Sequence, residues 1–476
     1  MEVFKTKKGL IKFAISLVVG LVIAFLPASE TLTREALIFL GAFVWYILVS
    51  SFDIIPMHIS GIIVATVLVV TRVLTFEDAF KSFGTATPWL IFGVLGFAAA
   101  LQATGLMKRI ALWVLRIFPK SFGGRVTALT AVSAILGPAI PSSPAKASLI
   151  ASLAVPISQE SGYEKNSKQA AGLFTAFFAP VVLFSPIFVS GAVGVPAMMA
   201  FMPDIKFSWL SWFGATWWLG LTLLILGYVF VRFFYRPNKA ERVAAQARVD
   251  ASEKKEDSVT LALREMGPMS LHEKIGLITL LVVIVIWITE SFHGVSTAMV
   301  AICALLLITL IGIFKTEDYV TKVPWPMILI AGTIMTMVSC FSSLGVSAWL
   351  GSVLGPIMGP VGTNPYLMIL AICIAGFILR FFIVSQQAII AIMLGVFGAV
   401  AVPAGISIFI IVFITWMATA TWQVPYVNSS YFTARGITDQ MCEHKYLRTG
   451  SYCMAAIVMI VCVASVPIWQ LTGWIV

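Results

Sequence analysis

Short polar clusters divide this chain into long stretches in which nearly every position is apolar. Eleven such stretches read as spans: 10–27, 34–52, 55–73, 88–104, 169–190, 208–235, 274–290, 294–314, 326–345, 404–422 and 450–474. Each is long enough to cross an apolar layer about 30 Å thick at about 1.5 Å per residue, some with tilt. They must be helical, because lipid offers no water to satisfy the N–H and C=O groups of an open strand. Two further apolar stretches, 123–158 and 364–402, differ in being interrupted near their middles by polar residues.

Composition agrees with the pattern. Of 476 residues, 60% are hydrophobic and 11% charged, where a soluble domain has about 25% charged. The mean hydropathy is +1.00. Disordered, collagen-like and small disulfide-framework classes are excluded, and a water-soluble enzyme built around a cleft is disfavoured. The net charge of +10 does not point to nucleic acid, because the basic residues sit between apolar runs, where they orient loops toward the cytoplasm. The partner implied is the lipid bilayer. All six cysteines lie in the second half, most within apolar runs and none in a CxxC pair, so they read as small buried hydrophobes.

Lys5, Lys7 and Lys8 precede the first run. They fit a cleaved signal or an uncleaved first helix; the run's length and a second span within ten residues favour the helix. The N-terminus then lies inside, at a plasma membrane. Lys108, Arg109, Arg116, Lys120 and Arg125 form an acid-free segment after four spans, again inside. The extended polar stretch 236–273 mixes both signs and reads as a cytoplasmic, solvated linker between two halves, with or without a surface helix.

The halves resemble each other. Pro88-Trp89 recurs as Pro324-Trp325, Gly105 as Gly345, Trp113 as Trp349, Pro119 as Pro356, and Ser142-Ser143 as Ser385-Gln386, at offsets of 236, 240, 236, 237 and 243. Segment 105–125 carries five Lys/Arg and segment 345–365 none. The two copies therefore fall on opposite membrane faces, an inverted repeat, which is a common construction of secondary transporters.

The first interruption runs Gly137-Pro138-Ala139-Ile140-Pro141-Ser142-Ser143-Pro144-Ala145-Lys146, and its prolines break helices. The second runs Arg380-Phe381-Phe382-Ile383-Val384-Ser385-Gln386-Gln387-Ala388. Each is a re-entrant hairpin or a turn between two full spans; matching polar breaks in both halves favour hairpins. Free N–H groups at a returning helix start suit an anion. Lys146 and Arg380 are cations in apolar runs, each costing about 2.5–3.5 kcal/mol near the bilayer centre on insertion scales. Either compensates a substrate's charge or snorkels to the interface. Intramembrane carboxylates are nearly absent, with Glu35 and Glu290 at span ends, so the implied ligand is an anion and no metal site is expected. A third break, Gln423-Val424-Pro425-Tyr426-Val427-Asn428-Ser429-Ser430, has Ser190-Gly191-Ala192-Val193-Gly194-Val195-Pro196 as its opposite number. These breaks line a cavity or merely kink a span.

With these pieces in place the chain resembles the divalent anion/sodium symporter (DASS, INDY-like) family over nearly its whole length. Thr104-Gly105-Leu106-Met107-Lys108-Arg109-Ile110-Ala111 is similar to a family motif after the fourth span. Pro141-Ser142-Ser143-Pro144-Ala145-Lys146 is similar to the first Ser-Asn-Thr hairpin tip, and Ser385-Gln386-Gln387-Ala388 falls where the second belongs. Pro467-Ile468-Trp469 with Gly473 resembles the closing motif. The resemblance implies an all-α polytopic fold with eleven spans and two opposed re-entrant hairpins, a homodimer, an elevator mechanism, no cofactor, and di- or tricarboxylate substrates. Scaffold parts would be 1–120 and 274–360, transport parts 121–235 and 361–476, with 236–273 between them.

The departures bear on coupling. Sodium-coupled members carry Ser-Asn-Thr at both tips, where Asn and Thr oxygens help hold sodium; here the tips are Ser-Ser-Pro and Ser-Gln-Gln. Val424-Pro425-Tyr426 replaces the usual Thr-Pro-Pro-Asn pattern, and Val195 an Asn. The exchanger branch commonly has a basic residue at the Lys146 position, and a His where this chain has Ile389. The expected substrate-binding set is Ser142, Ser143, Pro144, Ser190, Ser385, Gln386, Gln387, Pro425 and Asn428, with Lys146 and Arg380 compensating charge. Sodium-independent exchange of C4–C5 dicarboxylates is the leading reading and sodium-coupled symport the second. A channel has no need of an inverted repeat with two broken hairpins. An intramembrane hydrolase is disfavoured because His58, His272, His293 and His444 lie at span ends or in loops.

Overall fold

The computed structural model describes residues 6–52, 54–251, 257–362 and 364–476. Those residues are overwhelmingly helical; among them the one bridge between extended residues joins Ile406 to Ile475. Seven helices are long and apolar enough to cross a membrane, and shorter apolar helices lie between them. Hydroxyl and amide side chains start many of them: Thr33, Ser121, Ser142, Ser167, Ser208, Ser270, Ser296, Ser385 and Asn428 each accept a bond from a first-turn N–H. The small polar clusters between apolar runs are thus mostly caps that satisfy donors the helix leaves open.

Two stretches of the chain run through helices of similar length in the same order. Arg34–Ser51, Met57–Val70, Ala86–Ala103, Leu106–Ile117 and Phe122–Ile135 correspond to Leu271–Ile288, Thr297–Leu310, Trp325–Ser343, Val346–Gly362 and Pro365–Leu379. Packing follows the same correspondence crosswise: Ala86–Ala103 lies on Thr297–Leu310, and Met57–Val70 on Trp325–Ser343. Small residues permit the approach, as at many membrane helix contacts. A Cβ at Gly93 would fall 2.8 Å from the Ile302 nitrogen, and one at Gly61 would fall 2.4 Å from Thr333 Oγ1. The repeated glycine has a backbone cause: Gly105 and Gly345 sit at φ +81° and +72°, a left-handed region costly for other residues.

The interrupted stretches fold as two hairpins. The first has arms Phe122–Ile135 and Ser143–Glu160; the second has Pro365–Leu379 and Gln386–Met393, continued through a π turn at Leu394–Gly398. Each is followed by a helix broken in its middle. The first broken helix is Lys168–Leu183 and Gly194–Met199, the second Ile408–Thr419 and Ser429–Thr438. The stretch 169–190, read as one span, therefore ends as an α-helix at Leu183, and the last run divides into His444–Ala464 and Val466–Leu471.

The polar stretch 236–273 carries helices that dock on the rest of the chain. Lys239–Asp250 and Ser258–Met266 are helices; residues 252–256 lie outside the described set. The first of these helices docks beside the first broken helix. Gln169 Nε2 donates to Glu241 Oε2 at 2.9 Å and Arg248 Nη1 to the Gly162 carbonyl at 3.0 Å. The second docks elsewhere. Arg109, 4% exposed, forks onto Glu273 at 2.7 and 3.1 Å and donates to the Gly267 carbonyl at 2.9 Å. Lys120 Nζ lies 2.8 Å from Asp257 Oδ2, and the Ser258 N–H donates to Glu160 Oε1 at 2.8 Å.

Candidate functional site: two hairpin tips and two helix breaks

Breaking a helix inside an apolar layer strands carbonyl oxygens that no water reaches. At the first tip, Ser142 caps the returning arm, its Oγ accepting from the Ala145 N–H at 3.3 Å, with Pro144 in the first turn. The tip carbonyls turn to the break at 184–193. Ser190 Oγ donates to the Pro138 carbonyl at 2.7 Å, and the Val193 N–H to the Pro141 carbonyl at 2.9 Å. Lys146 is fully buried. Its ammonium donates to the Gly191 carbonyl at 2.6 Å and reaches the Gly137 carbonyl at 3.4 Å.

The second tip answers the first. Ser385 caps the returning arm, Oγ accepting from the Ala388 N–H at 3.2 Å, and lies 3.4 Å from Met57 Sδ. Arg380 is 2% exposed. Its guanidinium donates to the carbonyls of Ile383 and Val384 at the tip and of Val427 in the second break. Each half therefore holds one buried cation that ties its hairpin tip to the break that follows. Among the described residues neither cation has a carboxylate partner. Both are buried among carbonyl oxygens rather than extended to an interface.

Several other side chains of the expected set are engaged locally. Ser190 also accepts from Trp209 Nε1 at 3.3 Å. Asn428 donates to the Ala420 carbonyl at 3.0 Å and accepts from the Tyr431 N–H at 3.1 Å, so it spans the second break and caps the helix beyond. Gln387 Oε1 lies 3.5 Å from Ser385 Oγ. Gln386 donates to Thr419 Oγ1 at 3.2 Å and approaches the Trp416 carbonyl at 3.5 Å. Ser143 and Pro425 are half-buried at the first tip and the second break.

The two breaks run side by side. The Phe178 ring lies 5.0 Å from Trp422 and 5.6 Å from Tyr431. Trp416 packs so closely on Gly194 that a Cβ there would fall 1.7 Å from the ring. The returning arm Ser143–Glu160 lies along Ser429–Thr438. Ser142 and Ser143 make no direct hydrogen bond to Ser385, Gln386 or Gln387. Ser142, Pro141 and Val193 instead form one wall of a cavity of about 520 Å3.

The sequence reading did not single out Thr419, Thr421, Gln102 or Lys322. Thr421 donates to Gln423 Oε1 at 2.7 Å, leaving Gln423 Nε2 buried without a partner. Gln102 and Lys322 line the same cavity as Ser142. A signal existed for Gln102, the one amide in its span.

A multi-pass helical membrane protein with helices broken inside apolar runs has the build of a membrane transporter. The chain belongs to the divalent anion/sodium symporter family: the family model described as the sodium:sulfate symporter transmembrane region matches residues 7–475. Dicarboxylate transporter 1, chloroplastic, of Spinacia oleracea is 27% identical over 399 residues, covering 82% of this chain and 68% of that one. Inner membrane protein YbhI of Escherichia coli is 28% identical over 421 residues, 84% of each chain. The putative malate transporter YflS of Bacillus subtilis is 26% identical over 352 residues, 72% of each. The solved YdaH transporter of Alcanivorax borkumensis shares the fold at TM-score 0.58 and 14% identity, covering 91% of this chain and 98% of that one.

Proposed function

We propose that this protein exchanges one C4–C5 dicarboxylate for another across the plasma membrane, without sodium, by an elevator mechanism. The scaffold is 1–120 with 274–360 and the transport unit 121–235 with 361–476, arranged as an inverted repeat in a homodimer with the N-terminus and the 236–273 linker in the cytoplasm. The substrate class rests on relatives named as dicarboxylate or malate transporters.

The observation that carries the coupling is the pair of buried cations. A dicarboxylate bears about two negative charges at pH 7, since carboxyl pKa values lie near 4. Lys146 and Arg380 supply two fixed positive charges and donate to tip and break carbonyls. With substrate bound beside them the moving unit is locally near neutral. Empty, it drags uncompensated cations past an apolar scaffold, at a cost of several kcal/mol. Each 1.4 kcal/mol slows that step about tenfold, so loaded return outruns empty return, and this difference is exchange. The Ser142, Ser143 and Ser385 hydroxyls and the Gln386 and Gln387 amides are the proposed hydrogen-bond donors to the substrate carboxylates, with Pro144, Ser190, Pro425 and Asn428 shaping the backbone around them.

Sodium-coupled symport is the second reading, favoured by the family model's own description as a sodium:sulfate symporter region. Counterflow in proteoliposomes separates the two. Exchange that needs internal dicarboxylate and persists in potassium or choline supports the first reading, and uptake into empty vesicles driven by a sodium gradient supports the second.

A further inference from the structure

The cavity of about 520 Å3 at the first tip has walls from two parts of the chain. Pro141, Ser142 and Val193 come from the first hairpin and the first break; Leu95, Ala98, Ala99, Gln102 and Ala103 from the helix Ala86–Ala103; Lys322 and Pro324 from the start of the helix Trp325–Ser343. Its polar side chains are the Ser142 hydroxyl, the Gln102 amide and the Lys322 ammonium, and no carboxylate lines it. Gln102 lies three residues before Gly105, so the cavity sits at the basic end of the molecule.

Lys322 pairs with Asp318 of its own short helix at 2.8 Å. Asp318 also accepts from the Lys315 N–H at 2.8 Å. The Lys322 hydrogen bond holds the Asp318 carboxyl below the usual carboxylate range, so it is charged at neutral pH. It does not line the cavity. An anion in the cavity thus meets Lys322, Gln102 and Ser142, while Asp318 is not among the lining residues.

We propose that this cavity is the entry vestibule for the anionic substrate on one membrane face, and that Lys322 and Gln102 are its selectivity groups, drawing a dianion toward Ser142. The proposal rests on the anion-transporter reading above. Opposed walls give it a sidedness. Ser142 belongs to the proposed moving unit, and Lys322 and Gln102 to the proposed scaffold, so the vestibule exists in one end state and serves one face. A cation at a mouth with apolar walls raises the local concentration of anions and the on-rate, an effect that salt weakens. Lys322→Gln does more than remove a charge, because it takes the ion-pair partner from Asp318.

The test is the KM for succinate measured separately at each face of uniformly oriented protein in proteoliposomes. Lys322→Gln is expected to raise KM roughly three- to tenfold at the face bearing Lys108 and Lys120. The opposite face and kcat should be unchanged. Lys322→Arg should behave as wild type. Asp318→Asn with Lys322→Gln should recover only part of the loss, because it removes the unpaired carboxylate without restoring the ammonium. At high ionic strength the gap between wild type and Lys322→Gln should narrow. An equal KM change at both faces, no KM change for Lys322→Gln, or a double variant with wild-type KM would each overturn the vestibule while leaving wild-type transport standing. A wild type that moves no dicarboxylate would overturn the transporter reading and the vestibule with it.

Discussion

The ammonium of Lys146 lies 2.6 Å from the carbonyl oxygen of Gly191. That contact joins a hairpin tip to the broken helix after it, and Arg380 makes the corresponding contact with Val427 in the other half. The two cations come from opposite flanks of their tips, one after the turn and one before it, yet reach equivalent carbonyls. A chain end or hydroxyl could satisfy one such oxygen; a buried ammonium or guanidinium satisfies several and leaves a net charge beside the tip.

Lys146→Ala strips the donor from Gly191 and Gly137 and deletes one compensating charge. An unmet buried polar group costs about 1–3 kcal/mol. Exchange should fall at least tenfold while the protein still elutes as a monodisperse species in detergent. Lys146→Thr should be impaired to a similar degree, because its hydroxyl restores a hydrogen bond and no charge. Rates of labelled dicarboxylate counterflow check both.

Arg380→Lys should fail although charge is kept. The guanidinium serves carbonyls at Ile383, Val384 and Val427 together, and a lysine offers one point in place of a planar fork. Counterflow reduced about tenfold or more is expected; near wild-type rates would show that geometry at this tip is unimportant.

Gly194→Ala places a methyl group into the Trp416 ring. Overpacking of this kind costs about 1–3 kcal/mol, and here it would also push the two breaks apart. The expected result is a lower detergent melting temperature, partly recovered by Trp416→Leu in the same chain.

Glu273→Leu should destabilise by about 3–5 kcal/mol, because it leaves the Arg109 guanidinium buried without its counter-charge. Arg109→Met with Glu273→Leu should be markedly milder than either single change. Melting temperatures of the four proteins form the cycle that measures this coupling.

Much of the architecture is visible in residue types, because lipid allows few solutions. Apolar runs became helices, and the polar clusters at 137–146 and 380–388 fall at the turns of hairpins. The glycines at 105 and 345 carry a backbone signature that survives when the surrounding side chains differ. The partners of Lys146 and Arg380 were not legible: both reach main-chain carbonyls, and a carbonyl has no residue identity. Part of the linker's docking was hidden for the same reason, since Arg109 and Arg248 also grip carbonyls at Gly267 and Gly162. Gln102 and Lys322 could be paired with Ser142 only once three distant segments were folded together.

The most direct measurement of the central claim is dicarboxylate flux into proteoliposomes loaded or not loaded with internal dicarboxylate, in sodium and in choline. Fixed charges at Lys146 and Arg380 predict rapid uptake into loaded vesicles, equal in both salts, and little uptake into empty ones. Strong sodium-dependent uptake into empty vesicles would contradict it.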